Sequence, residues 1–279
     1  MLLCTVLWSM AGPVTRATRI SNGWETSFWR SLFLSIIVAA LLLFRHRASA
    51  FSRIAAMGWP GVVSSLCWTA MFTCFMLALS HTSVANALVI MGLLPFFAAI
   101  SGWIFLHEKV ALRTWIAMAA AAAGVGIMFH EGLGSASLVG SLYALVVPVA
   151  AAVNTIAVKR GRGKVDLVPA LLVGGLIAVL ISLPFASPYT ATGRDLALLG
   201  GMAMFQLALP CVLLVSFVIP RLSAAEIGLL SLLEVVLGPL WVWTFFGEHP
   251  GAAVLTGGFV VLAALAANEG IALATEKRS

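Results

Sequence analysis

"WIFLHEKV", Trp103–Val110, and "WTFFGEHP", Trp243–Pro250, close two apolar runs with the same ending. Each carries a Trp, a Phe two positions on and a Glu three beyond that. Trp103 and Trp243, Phe105 and Phe245, and Glu108 and Glu248 are each 140 positions apart. The same offset aligns Ser83 with Ser223, Ala85 with Ala225, Leu93 with Leu233 and the basic pair Arg19 and Lys159. One helix ending written twice at constant spacing reads as an internal repeat.

The surroundings of the two motifs say what is repeated. The chain has 279 residues, of which 62% are hydrophobic and 9% charged, with a mean hydropathy of +1.08. Soluble domains carry about 25% charged residues, so this chain cannot cover a water-facing surface. Its apolar runs, such as "SFWRSLFLSIIVAALLLF", are continuous, without the alternation of a membrane barrel. The fold class is therefore all-α membrane protein.

A spanning helix needs roughly 20 apolar residues. Ten such stretches are expected, at 2–20, 25–44, 57–80, 84–106, 111–129, 138–158, 167–186, 196–220, 224–246 and 251–272. The first is the weakest, because its clean apolar part stops at Arg16. The start carries no basic residues ahead of its apolar stretch and does not read as a cleaved signal. Connections are short, so the distribution of Lys and Arg sets orientation. Arg16, Arg19, Arg30 and Arg194 fall on one side, and the other twelve of the sixteen basic residues fall on the other. Both termini are thus expected in the cytoplasm, and the net charge of +6 is an orientation signal rather than a nucleic-acid surface. The basic run "KRGRGK" at the centre lacks the first half of a phosphate loop and follows no strand.

Five spans per half is an odd number. The second copy must then lie upside down in the membrane, giving two inverted repeats, 1–134 and 135–279. Such repeats can rock around a central site, exposing it to each face in turn. The paired glutamates precede the start of the next helix, where a carboxylate meets unpaired N–H groups. Capping is the expected role of both.

Other residues bear on chemistry. Glu234 lies near the middle of the ninth span, where an ionisable group is costly and usually functional. It could carry a proton, hold an ammonium group, or bond a neighbouring helix. Asn86, Asn154 and Gln206 are amides inside spans, suited to a polar solute or to helix pairing. Ser65, Thr69 and Thr73 form a polar stripe beside Trp68, which should face the interior, on a cavity or a neighbour. Trp8 and Trp103 could wall an apolar cavity, while Trp24 and Trp59 suit the membrane interface. Glu226 should meet water or Arg221. Ala120 with Gly124, and Ala122 with Gly126, allow close helix approach. No His/Cys cluster has metal-ligand spacing, the four cysteines lie in apolar runs, and no cofactor motif is present.

At this point the residues resemble a known family. "SVANALVIMGLLPFFAAISGWIFLHEKV", Ser83–Val110, resembles the fourth helix of EamA-type transporters of the drug/metabolite transporter superfamily. "SAAEIGLLSLLEVVLGPLWVWTFFGEHP", Ser223–Pro250, is similar to the ninth. "LWS" at Leu7–Ser9 looks like the start of the first helix, and Arg30 matches an arginine common early in the second. The resemblance covers essentially the whole chain and implies ten helices, both termini inside, and a cavity lined mainly by spans 1, 3, 4, 6, 8 and 9. Spans 5 and 10 are implied to be peripheral. The ninth helix departs from the usual Leu-Glu-Pro-Val, reading Leu233-Glu234-Val235-Val236 with the proline at Pro239. A substrate site of Trp8, Trp68, Thr69, Thr73, Asn86, Trp103, Asn154, Gln206 and Glu234 is expected. The expected function is secondary export of small organic metabolites, amino acids or drug-like amphiphiles, through the cytoplasmic membrane. Import of a vitamin or nucleoside-type metabolite is the alternative, and an intramembrane enzyme using Glu234 is the alternative of another class. The partners are then a small-molecule solute and the bilayer, with no nucleic acid. The sequence is compatible with a homodimer.

Overall fold

A computed structural model describes residues 1–279 except 11–16, 48, 131–136, 163–164, 188, 248–250 and 277–279. Among the described residues the regular structure is helical, with no strand. The helices are α1 (Leu2–Ser9), α2 (Gly23–His46), α3 (Ser49–Ala55), α4 (Gly58–His81), α5 (Val84–Met91), α6 (Leu94–Leu106) and α7 (Leu112–Phe129). There follow α8 (Leu138–Gly161), α9 (Pro169–Ser182), α10 (Gly193–Met202), α11 (Leu209–Leu213), α12 (Ala224–Phe246) and α13 (Ala252–Glu276). Six segments are long and apolar enough to cross a membrane: Gly23–His46, Gly58–His81, Asn86–Leu106, Leu138–Gly161, Gly193–Val218 and Ala224–Phe245. Leu112–Met128, Pro169–Phe185 and Ala252–Asn268 are shorter apolar helices.

Local chemistry explains several boundaries. Ser223 and Glu226 form a capping box at the start of α12, and Gly247, at φ 69°, closes its end in the left-handed conformation. Glu226 thus caps its own helix instead of meeting Arg221, whose guanidinium donates to the Phe217 carbonyl. Asn22 caps α2 through the Trp24 N–H at 2.9 Å. The fourth apolar run is interrupted at Gly92 and Leu93, just before Pro95, which lacks the N–H a continuous helix requires. The segment after α10 runs through two π-helical stretches, Ala203–Ala208 and Leu214–Val218, on either side of α11 and its Pro210. Proline removes one backbone bond, and the wider turn accommodates the loss. The short α3 falls in a connection where no helix is expected from hydropathy. Its Arg53 lies 3.6 Å from Asp166.

The packing mixes the two halves of the chain. One core joins Leu34, Val38 and Trp68 to Leu171, Ala178 and Val215. The other joins Ala99, Met118 and Val125 to Leu229, Leu232 and Val261. The small-residue face of α7 is half as extensive as its composition implies. A Cβ added at Gly124 would lie 2.8 Å from the Gly257 carbonyl oxygen, but one at Gly126 would meet nothing within 4 Å. Gly126 is therefore not a point of close helix approach among the described residues.

Glu108 ties three elements together. One carboxylate oxygen accepts from the Ala224 N–H at the start of α12, 2.9 Å away. The other pairs with Lys159 near the end of α8. The expected cap on the next helix in sequence is corrected: Glu108 caps a helix 116 residues away. The physics is the one anticipated, a carboxylate against a positive helix end, but the partner belongs to the other half. Glu248 lies outside the described residues. A charge-assisted hydrogen bond contributes about 2 kcal/mol, so Glu108→Ala is expected to lower thermal stability of the purified protein, with Glu108→Gln retaining part of it. Unfolding followed by tryptophan fluorescence checks this. Equal stability of all three forms would mean the tie carries no energy.

Candidate functional site

A cavity of about 150 Å³ lies between the helices. Trp8 comes from α1, Arg30 from α2, Trp68, Met71, Phe72 and Phe75 from α4, and Met91, Leu94 and Ala98 from the broken fourth run. Asn154 and Thr155 come from α8, Gln206 and Cys211 from the π-helical region, and Gly228, Ser231 and Glu234 from α12. Among the described residues α7 and α13 contribute no lining residue, and the two helices pack on each other. The wall is mostly aromatic and aliphatic, with a few polar groups, the usual make-up of a small-molecule site.

Of the expected site residues, Trp8, Trp68, Asn154, Gln206 and Glu234 lie on this wall. Four do not. Trp103 stands 62% exposed on the outer surface of α6, since the repeated motif marks a helix end and not an inner face. Thr69 is buried, and its hydroxyl serves the carbonyls of Ser65 and Gly174, each at 2.9 Å. Thr69 thus bonds a neighbouring helix, Ser65 donates to the Gly61 carbonyl of its own helix, and Thr73 is buried off the cavity lining with its hydroxyl unpartnered among the described residues. Asn86 donates to Thr82 at 3.0 Å and Ser141 at 2.8 Å, pairing helices instead of facing a solute.

The polar groups on the wall differ in how far they are satisfied. Asn154 accepts from the Ser64 hydroxyl at 2.7 Å. Gln206 accepts from the Arg30 guanidinium at 3.0 Å. Trp68 stacks on Phe72 with ring centroids 5.4 Å apart, and its buried indole N–H finds no partner among the described residues. Glu234 is half-buried on the cavity side of α12. Arg30, which the sequence counts among the basic residues of one side, also lines the wall. The signal was available: it stands five positions inside the span that starts at Glu25, followed by "SLFLSIIVAALLLF".

An apolar helical bundle whose cavity wall draws on both halves of the chain fits a multi-pass membrane protein. The profile of the EamA-like transporter family matches residues 1–130 and again 138–268. The chain belongs to that family and is a secondary transporter of a small molecule. It is similar to the pseudopaline exporter CntI from two strains of Pseudomonas aeruginosa, at 24% identity over 250 residues, covering 86% of this chain and 84% of the relative. A solved crystal structure shares the fold with a TM-score of 0.79 at 16% identity, covering 99% of this chain and 96% of the other.

Proposed function

We propose that this chain exports small organic amphiphiles, such as amino acids or drug-like molecules, through the cytoplasmic membrane. The observation that carries the reading is the cavity itself, which takes wall residues from both halves and holds a carboxyl group, Glu234, at mid-span. The chain crosses the bilayer ten times as two inverted five-span repeats, 1–134 and 135–279, with both termini in the cytoplasm. The 140-residue offset, the odd number of spans per repeat and the asymmetry of basic residues support that topology. Alternating access follows from it, with Glu234 as the group that exchanges a proton. The resemblance to an exporter supports the outward direction.

The test is retention of labelled amino acids and related metabolites in cells with and without the protein. Faster loss of a chemically unchanged solute, abolished by collapsing the proton gradient, is the expected result. A solute recovered in altered form would point to an enzyme, and faster accumulation would reverse the direction.

A further inference from the structure

Among the described residues Arg30 is the one basic side chain on the cavity wall, and it is only 4% exposed. Taking a guanidinium out of water is costly unless its donors are met. It has five N–H donors in a fixed fork. One guanidinium nitrogen donates to Gln206 at 3.0 Å, and the buried Nε has no partner among the described residues. The acids that could neutralise it are engaged elsewhere. Glu25 accepts from the Thr190 and Ala191 backbone and the Thr190 hydroxyl, at 2.7–2.8 Å. Asp195 accepts from Thr192 and the Arg19 backbone. Glu234 shares the cavity but makes no ion pair with Arg30 among the described residues.

The residue opposite Arg30 is informative. Gln206 sits in the π-helical stretch Ala203–Ala208, a type of irregularity frequent at functional sites. An amide there orients the guanidinium without cancelling its charge. On the same wall, Trp68 carries a second buried donor, its indole N–H, without a partner among the described residues. Two residues of a mostly apolar wall thus each carry a buried donor without a partner among the described residues, and one of them is cationic.

We propose that Arg30 is the specificity determinant of this transporter: it seats a carboxylate of the solute, held by the guanidinium fork and steered by Gln206. Guanidinium and carboxylate match in bidentate geometry, and the apolar wall takes the solute's remaining body. Solutes with an acid group are then preferred over the corresponding amines. The idea rests on the transport reading for its biological role, but not for the binding chemistry.

The experiment uses purified full-length protein and three probes that share one body: phenylalanine, 3-phenylpropanoate and phenethylamine. Binding is read by thermal stabilisation, and flux by proteoliposomes. The expected result is that the two acids bind and the amine binds weakly. Arg30→Gln weakens acid binding by about thirty-fold or more, and Arg30→Lys restores part of it. Gln206→Glu is the second variant. It supplies an internal carboxylate, so it should keep or raise stability without ligand while removing acid binding and sparing the amine. Acid binding unchanged in Gln206→Glu and Arg30→Gln, or tighter binding of the amine than of the acids by the wild type, overturns the proposal. Arg30-dependent binding of acids without flux would uphold the carboxylate seat and sink the transport reading. Flux that is indifferent to Arg30 would do the reverse.

Discussion

Replacing Gly228 by alanine is expected to cut the yield of folded protein sharply, and replacing it by leucine to abolish it. A Cβ at this position would lie 2.7 Å from the Cα of Pro95, 3.2 Å from its nitrogen and 3.1 Å from the Ala98 Cβ. Two of those atoms are backbone or ring atoms of a proline and cannot swing aside as a flexible side chain would. Here α12 crosses the broken fourth run, and transmembrane helices approach this closely only where small residues permit it. Overpacking of one methyl costs about 1–3 kcal/mol, and leucine adds three more carbons. Gly238 supplies the control. It lies on the same helix with nothing within 4 Å of its added Cβ, so Gly238→Ala should be neutral. Monodisperse yield in detergent measures all three. Equal yields of Gly228→Ala and Gly238→Ala would mean the two helices do not cross at that distance.

Glu234→Gln is expected to fold normally and to lose the pH response of transport. The sign follows from export driven by an inward proton gradient: the proton enters as the solute leaves, so acidifying the outside should speed wild-type efflux. A glutamine cannot bind and release that proton. The other titratable or charged groups on the wall are Arg30 and Cys211, and neither is altered by the substitution. The expected effect is a loss of about tenfold in gradient-driven efflux, equivalent to about 1.4 kcal/mol, with a flat profile against external pH. A variant that keeps the wild-type slope would remove Glu234 from the coupling mechanism.

Hydropathy located the long helices well because burial in lipid demands long apolar runs, whatever their neighbours. The ninth stretch, 224–246, coincides with α12, since its limits are chemical: a capping box at Ser223 and a glycine at Gly247. The site was less legible. Trp8, Asn154 and Gln206 could be placed inside spans, but a single helix does not disclose which neighbour its polar face meets. Thr69 shows the limit, because facing inward means facing away from lipid, and the carbonyl of Gly174 satisfies that as well as a cavity does. Glu108 shows another. Local spacing suggested a local cap, while its partner Ala224 becomes near only when the two halves interleave. Arg30 was hidden by arithmetic, counted for its sign when its depth was the informative property.

The interruption before Pro95 has one more effect. With no N–H at Pro95, the carbonyl of Met91 is denied the partner a continuous helix would give it. Met91 and Leu94 both border the cavity. The helical ladder therefore breaks at the border of the cavity, where two half-helices are joined through Gly92 and Leu93. Proline is a usual place for a helix to bend. Substitutions at Met91 are then expected to alter the outline of the cavity through the joint as well as through the side chain.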